Sequence, residues 1–169
     1  PFKVRTGQGE LEAKTLILAT GAEAMYLGLE SEEAFRGRGV SACATCDGFF
    51  YRDRKVAVIG GGDTAAEEAV YLTNHASEVY LVHRRDELRA SKIMAERVLA
   101  HDKITMKWDR VLDEVLGDDS GVTGVRLKDP RTGDTEELTL DGVFIAIGHR
   151  PNTAFLDGQL DTDDAGYLI

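Results

Sequence analysis

The hydrophobic stretches near the start of the chain are short and widely spaced, as in strands joined by turns. Val4, Leu11 and the apolar run Leu16–Ala19 predict strands around a turn at Gly7–Gly9. Residues 22–40 are polar and predict irregular structure. The chain stops on DDAGYLI, where another strand is predicted to begin. We therefore expect both ends to lie within a sheet that belongs to a larger protein.

From Val56 onward the pattern changes to alternating strands and helices. The unbroken apolar run Val56–Ile59 is typical of a strand that is buried on both faces. The spacing then predicts a helix over 63–73, a strand over 78–85, a helix over Ser91–Ala100 and a strand over Ile104–Trp108. This β-α-β-α-β order implies parallel strands with right-handed crossovers.

The stretch after Trp108 has strands but no helical periodicity. Three strands are predicted, joined by turns at Asp118–Gly121 and Pro130–Gly133. They form an antiparallel meander inserted before a last strand, Val143–Ile147. The predicted fold class is therefore α/β: a Rossmann-like three-layer domain with a parallel sheet plus a three-stranded antiparallel meander.

The charge balance argues against a nucleic-acid partner. The net charge is −10, from 20 Lys and Arg against 30 Asp and Glu, whereas phosphate-backbone binding needs clustered positive charge. No run approaches the ~18 apolar residues of a membrane-spanning helix. Two cysteines are too few for a disulfide-stapled secreted domain. We expect a cytoplasmic protein that binds neither a membrane nor a nucleic acid.

Gly60, Gly62 and Ala65 match the G-x-G-x-x-G/A spacing of dinucleotide-binding loops. The first glycine permits a tight turn, the second lets a pyrophosphate approach the backbone, and the small third residue lets the helix pack on the strand. The loop follows a predicted strand, and Asp63 and Thr64 begin the predicted helix, whose free N–H groups favour phosphate. The context predicts a nucleotide site.

The end of the second strand indicates which nucleotide binds. NAD sites usually carry an acidic residue there, whereas a ribose 2′-phosphate is bound by arginine. This chain has His83, Arg84, Arg85 and Arg89, and arginine's planar donor fork matches phosphate oxygens. The cluster predicts NADPH rather than NADH; the alternative is a solvated basic strand end.

Cys43 and Cys46, the two cysteines of the chain, allow three interpretations: a zinc ligand pair, a structural disulfide or a redox pair. A zinc site needs further ligands at characteristic spacing, and the chain offers none, so we expect no metal. A disulfide that closes so short a loop constrains the unfolded chain little. The interpretation as a redox pair is favoured, since local electrostatics can lower the pKa of a thiol in such a motif and make it reactive. Asp47 is a candidate proton donor and acceptor, or simply part of a turn with Gly48.

A flavin is the usual intermediary between NADPH and a disulfide. A second G-x-G-x-x-G loop after a strand, which would hold FAD, is absent from the chain.

Three segments carry a resemblance to a known family: SACATCDGFFYRDRKVAVIGGGDTAAEEAVYL, EVYLVHRRDELRA and GVFIAIGHRPNT. They resemble the central part of bacterial low-molecular-weight thioredoxin reductases, in which an NADPH domain is inserted into a split FAD domain. The resemblance implies that residues 1–23 end the first FAD-domain segment, 24–149 form the NADPH-binding domain with the redox pair, and 150–169 begin the second FAD-domain segment. The strands at both ends would then be partial FAD-domain strands.

The resemblance also implies roles for individual residues. Cys43 and Cys46 would form the redox disulfide, with Cys46 facing the flavin and Cys43 exchanging with thioredoxin, and Asp47 would be the acid and base. The residues implied to bind NADPH are Gly60, Gly62, Asp63, Thr64, Ala65, His83, Arg84, Arg85, Arg89, Ile147 and Gly148. Those implied to contact FAD are Thr20, Gly21 and Ala22. Hinges for rotation of the NADPH domain would lie at Ala22–Met25 and His149–Asn152.

The expected function is electron transfer from NADPH through FAD to the disulfide and on to thioredoxin. We expect this chain alone to bind NADPH, to lose FAD and to be inactive, and the whole enzyme to be a homodimer. A ferredoxin-dependent relative is disfavoured, because it would not need the arginine cluster. Two alternatives stay open: a related reductase that serves a peroxiredoxin, and a non-catalytic NADPH-binding module.

Overall fold

The computed structural model describes all 169 residues, which divide into two compact units. One unit consists of residues 1–23 and 150–169, and the other of residues 24–149. The strands are β1 (Phe2–Thr6), β2 (Gly9–Ala13), β3 (Ala22–Ala24), β4 (Val40–Ser41), β5 (Lys55–Ile59), β6 (Glu78–Val82), β7 (Ile104–Lys107), β8 (Val111–Asp118), β9 (Gly121–Lys128), β10 (Thr135–Thr139), β11 (Gly142–Ile145) and β12 (His149–Pro151). The helices are α1 (Glu30–Ala34), α2 (Ala44–Asp47), α3 (Asp63–Leu72) and α4 (Lys92–Leu99), with 3₁₀ turns at Gly48–Tyr51 and Ala154–Leu156. None of the helices is both long and apolar enough to cross a bilayer.

The larger unit is built on a five-stranded parallel sheet with the order β4-β11-β5-β6-β7. Strand β5 lies at its centre and is buried on both faces, as the sequence predicted. Because side chains alternate along a strand, Val56 and Val58 enter the apolar cluster on the α3 face. Ala57 and Ile59 enter the cluster on the opposite face.

An antiparallel meander, ordered β10-β9-β8, covers that opposite face. Its inward side chains Leu112, Val115, Val125 and Leu127 are all at most 5% exposed and share one cluster with Ile59. Turns at 119–120 and 130–132 join the strands within the predicted segments. Helices, parallel sheet and meander form three layers, which confirms the predicted α/β fold class.

The sequence prediction is wrong for Leu16–Ala19, which forms no strand, and Ile17 is 89% exposed. An apolar run becomes a strand only where a neighbouring strand pairs its backbone groups, and none pairs with it in this chain. The strand predicted over 78–85 ends earlier, at Val82, because the backbone turns at the arginine cluster. Residues 22–40, predicted to be irregular, contain α1.

Helix α1 is held to the loop before it by a buried carboxylate. Glu32 is 2% exposed, and its two oxygens accept hydrogen bonds from the backbone N–H groups of Leu27 (3.0 Å) and Gly28 (2.7 Å). A buried carboxylate is tolerated when its lone pairs are satisfied in this way. Glu32 therefore holds the loop at Leu27 and Gly28 against α1, just before the chain enters the parallel sheet.

We expect Glu32→Ala to lower the free energy of unfolding by about 2 kcal/mol, because two partly buried hydrogen bonds to a charged acceptor are lost. Urea denaturation of this chain measures the change. Glu30→Ala is the matched control, since Glu30 is an exposed acid of the same short helix. Equal losses in the two variants would contradict the assigned role of Glu32.

Candidate functional site

The loop between β5 and α3 depends on an unusually close approach at Gly60. Its φ is +156°, and a Cβ built there would lie 2.3 Å from the carbonyl oxygen of Ala146 and 2.7 Å from the Cβ of Ala65. Ala146 follows β11, so strand end, glycine and helix meet with no space for a side chain. This contact explains why positions 60 and 65 of the motif carry the smallest residues.

The next two glycines have different surroundings. A Cβ on Gly61 would lie 2.1 Å from Nδ1 of His83, so Gly61 makes room for that ring. A Cβ on Gly62 would meet nothing within 4 Å, and Gly62 is the N-cap of α3. The backbone at Gly62 is therefore open to a ligand, next to the unpaired N–H groups of a helix start.

Asp63 begins α3, but its carboxylate is engaged within the protein. Its Oδ1 accepts a hydrogen bond of 2.8 Å from the backbone N–H of Ser91, and this bond lowers the pKa of Asp63. Ser91 is the N-cap of α4. Asp63 thus ties the starts of two helices together, and its predicted role in cofactor binding stays a prediction.

A cavity of about 580 Å³ opens at the glycine loop. Three arginines reach its wall: Arg84, Arg89 and Arg110. The remaining lining residues come from the chain near β3, from the glycine loop, from the ends of β5 and β6, from the start of β8 and from the segment after β11: Met25, Leu27, Ile59, Gly60, Gly61, Gly62, Asp63, Thr64, Val82, His83, Val111, Leu112, Ala146, Ile147 and Gly148. Of the predicted phosphate cluster, Arg85 does not line this cavity.

His83 forms a buried part of the cavity wall, with 5% of its surface exposed. Burial lowers the pKa of His83, and the positive charges of Arg85 and Arg84 lower it further. Its Nε2 is buried without a hydrogen-bond partner. The imidazole is therefore neutral at pH 7 and supplies shape and a polar edge rather than charge.

Arg110 is a cavity residue that the sequence prediction missed. Its Nε donates to Glu136 (3.1 Å) and its Nη1 to Asp129 (3.1 Å), both on the meander. Arg110 lies just after β7 and far along the chain from the glycine loop. No short sequence motif therefore links it to that loop. The parallel order of β5, β6 and β7 brings it to the same sheet edge.

Cys43 directly precedes α2 and Cys46 lies within it, and the two cysteines form a disulfide. Cys43 is the N-cap; its Sγ accepts from the N–H of Cys46 (3.2 Å), and its own N–H donates to Oγ of Ser41 (3.1 Å). Ala44 between them is 1% exposed, whereas Cys43 is half-buried and Cys46 is exposed. The short helix therefore presents the Cys46 side of the disulfide to the surface.

Asp47 is the last residue of α2 and is half-buried. Its charge acts on Tyr51, one turn later: burial raises the pKa of the Tyr51 hydroxyl, and the negative charge of Asp47 raises it further. Asp47 directly follows Cys46 in the sequence and lies on the same turn of α2.

An exposed aromatic pair follows the disulfide and was also missed from the sequence. Phe49 and Phe50 are 61% and 71% exposed, and the guanidinium of Arg52 lies 4.9 Å from the centre of the Phe49 ring. Large aromatic side chains are normally buried, so adjacent exposed ones indicate a contact surface. The available signal was the FF pair directly after CDG in the sequence.

Thr20, Gly21 and Ala22 belong to the smaller unit and are exposed. The carbonyl oxygens of Thr20 and Gly21 accept hydrogen bonds from the side chain (3.1 Å) and backbone N–H (2.9 Å) of Asn152. Gly21 has a φ of +69°, which a side chain would strain. Their predicted contact with FAD stays a prediction.

The family model described as pyridine nucleotide-disulphide oxidoreductase matches residues 2–169, so the chain belongs to that family. It is 59% identical to the thioredoxin reductase of Vibrio cholerae serotype O1, over the whole of this chain and 54% of that protein. It is 56% identical to a glucosaminate ammonia-lyase of Pseudomonas fluorescens, over the whole of this chain and 53% of that protein. The crystal structure of Lactococcus lactis thioredoxin reductase matches with a TM-score of 0.88 at 42% identity, over 98% of this chain and 55% of that chain. The chain thus spans about half the length of these relatives.

We expect Gly60→Ala to lower the free energy of unfolding by at least about 3 kcal/mol, because the new methyl group collides with a backbone carbonyl and the φ is unfavourable. Gly133→Ala is the control: Gly133 also has a positive φ, +83°, but has open space around it. We expect that control to cost about 1 kcal/mol. Urea denaturation compares the two, and equal losses would contradict the close approach at Gly60.

Proposed function

We propose that this chain is the NADPH-binding and disulfide-bearing part of a thioredoxin reductase. The observation that carries the proposal is the coexistence, in the unit of residues 24–149, of a cationic glycine-loop cavity and a surface disulfide. The family membership and the names of the relatives support it.

The cavity residues fit NADPH. The open backbone at Gly62 and the start of α3, with Thr64, would hold the pyrophosphate by N–H donation. Arg84 and Arg89 would bind the ribose 2′-phosphate, and the residues that directly follow β6 in the cavity wall, His83 and Arg84, offer no carboxylate to accept from a 2′-hydroxyl instead. Arg110 adds positive charge to the same wall, although Glu136 and Asp129 partly neutralise it.

When bound, NADPH and FAD supply the two electrons that reduce the disulfide. The chain's own part begins with the reduced pair. The thiolate of Cys46 attacks a disulfide of the partner, a mixed disulfide forms, and one partner sulfur leaves as a thiolate. Cys43 then attacks Cys46, which restores the Cys43–Cys46 disulfide and releases the second partner sulfur. Asp47, which directly follows Cys46, would hold or return the proton of its thiol.

This assignment differs from the one implied by the resemblance, which gave the exchange with thioredoxin to Cys43. The reason is residue exposure, because a protein disulfide reaches an exposed cysteine more easily than a half-buried one, and Cys46 is the exposed residue of the pair. The exposed Phe49 and Phe50 lie directly after the pair and would dock the partner by apolar contact. A protein substrate such as thioredoxin fits this surface.

The remaining assignments extend the same proposal. Residues 24–149 would be the NADPH-binding domain, while 1–23 and 150–169 would be parts of the FAD domain, with Thr20, Gly21 and Ala22 at the flavin. The chain lacks a second glycine-rich loop, so FAD would need binding elements beyond those present in it. The whole enzyme would be a homodimer that works in the cytoplasm without contacting a membrane.

We expect NADPH to bind this chain at least tenfold more tightly than NADH in calorimetric titrations, because charge-assisted bonds to the 2′-phosphate are lost with NADH. Arg84→Ala/Arg89→Ala should remove most of that preference and leave NADH binding little changed. Arg97→Ala, which changes an exposed arginine of α4, is the control. Equal affinity of the unmodified chain for both nucleotides would contradict the proposed 2′-phosphate site.

We expect reduced Cys43→Ser to form a mixed disulfide with oxidised thioredoxin about tenfold faster than reduced Cys46→Ser, because the remaining cysteine is then the exposed residue. Non-reducing electrophoresis of quenched samples measures both rates, and Cys43→Ser/Cys46→Ser gives the background. A faster reaction of Cys46→Ser than of Cys43→Ser would show that Cys43 is the cysteine that exchanges with thioredoxin. Failure of both single variants to react would remove thioredoxin as the partner and favour the non-catalytic alternative.

A further inference from the structure

The hydroxyl group of Thr45 lies beside the redox pair and has no role in the function proposed above. Its Oγ1 is 3.4 Å from the Sγ of Cys43, which is within hydrogen-bond reach for sulfur. A sulfur in a disulfide carries no hydrogen, so the Thr45 hydroxyl is the donor and the Cys43 sulfur is the acceptor. A threonine in a helix often donates instead to a backbone carbonyl three or four residues earlier. Thr45 donates to the sulfur.

The two sulfurs of the disulfide therefore have different surroundings. The Sγ of Cys43 accepts two hydrogen bonds, one from the Thr45 hydroxyl and one of 3.2 Å from the backbone N–H of Cys46. The structure shows no hydrogen bond to the Sγ of Cys46, the exposed residue of the pair. An attacking thiolate thus reaches Cys46 more easily, whereas Cys43 has the donors that can stabilise a negative charge.

We propose that Thr45 is a positioning residue whose hydroxyl makes Cys43 the sulfur that leaves as a thiolate when the disulfide is opened. The inference rests on the proposed disulfide-reductase function. Both donors belong to residues within three positions of Cys43 in the sequence, so they stay beside its sulfur after the bond opens. A hydrogen bond to a charged acceptor is stronger than one to a neutral acceptor, so both bonds strengthen as charge develops on Cys43.

The step balances with a dithiol as the reductant. One thiolate of the reductant attacks the Sγ of Cys46, a new S–S bond forms, and the Cys43–Cys46 bond breaks with its electron pair on Cys43. The second sulfur of the reductant loses its proton and displaces Cys46, which takes up a proton. The reductant is left as a disulfide, and the chain has gained two electrons. In the opposite direction, the same Cys43 thiolate attacks Cys46 in the mixed disulfide with a protein partner.

No titratable side chain takes part in this contact. The titratable groups of α2, of the 3₁₀ turn after it and of α3 are Asp47, Tyr51, Asp63, Glu67, Glu68 and Tyr71. None of them hydrogen-bonds to either sulfur. Variants that differ only at position 45 keep all of these groups, so a difference between such variants reports the Thr45 hydroxyl.

The first test follows the ultraviolet absorbance of the thiolate against pH in this chain, in a Cys46→Ser background where Cys43 is the single thiol. Thr45→Val keeps the branched shape of the side chain and removes its hydroxyl. We expect Thr45→Val to raise the midpoint by about half a pH unit, which is a roughly threefold smaller ratio of thiolate to thiol. Thr45→Ser keeps a hydroxyl and should restore most of the difference. In a Cys43→Ser background, where only Cys46 remains, Thr45→Val should leave the midpoint unchanged.

The second test is the rate at which dithiothreitol opens the disulfide of the chain with both cysteines, read by thiol alkylation and mass. We expect Thr45→Val to slow this reaction about twofold, because the leaving thiolate is less stable without the hydroxyl. Thr45→Ser should react at nearly the rate of the unmodified chain.

Three results would overturn the inference while leaving the proposed function intact. One is an unchanged Cys43 midpoint in Thr45→Val, and another is an equal shift for Cys43 and Cys46, which would be a general effect of polarity. The third is a lower midpoint of urea denaturation in both Thr45→Val and Thr45→Ser with no rescue of the thiolate titration by serine, which would make the role of Thr45 structural. If the unmodified disulfide cannot be reduced reversibly by dithiothreitol, the disulfide-reductase function itself is wrong, and the inference falls with it.

Discussion

The contact between Gly60, Ala65 and the carbonyl oxygen of Ala146 is the constraint on which the larger unit depends. It fixes how closely α3 approaches the carboxyl ends of β5 and β11. Because the free N–H groups of α3 are thereby held at the edge of the sheet, the cavity opens where the backbone can meet a phosphate. The arginines on the cavity wall belong to the segments that follow β6 and β7, and both strands end at this edge of the sheet.

Helix α3 serves both candidate sites. Its N-terminus closes the glycine-loop cavity, and its alanine side supports the short helix that carries the disulfide. Alanine permits the close packing of α3 against both the sheet and α2. The two candidate sites are therefore supported by the same helix and are not independent of each other.

Local patterns were sufficient to predict the parallel sheet, the meander, the glycine loop and the closeness of the two cysteines. Each of these depends on short-range rules: strand alternation, helix spacing, turn residues and motif context. Leu16–Ala19 was mispredicted because apolar composition does not supply a pairing partner. Arg110 and Phe49 were missed for a related reason: Arg110 reaches the cavity only through the tertiary fold, and Phe49 stands out only because the fold leaves it uncovered. The different exposure of Cys43 and Cys46 could likewise not be predicted from the sequence.

The row of alanines along α3 also has an evolutionary meaning. Ala65, Ala66 and Ala69 are fully buried, and each faces structure that a larger side chain would displace. Enlarging one of them would move α3 away from the sheet and disturb the loop at its start and the helix at its side together. Mutations on this face would thus be pleiotropic, and selection that preserves either candidate site would also preserve the other.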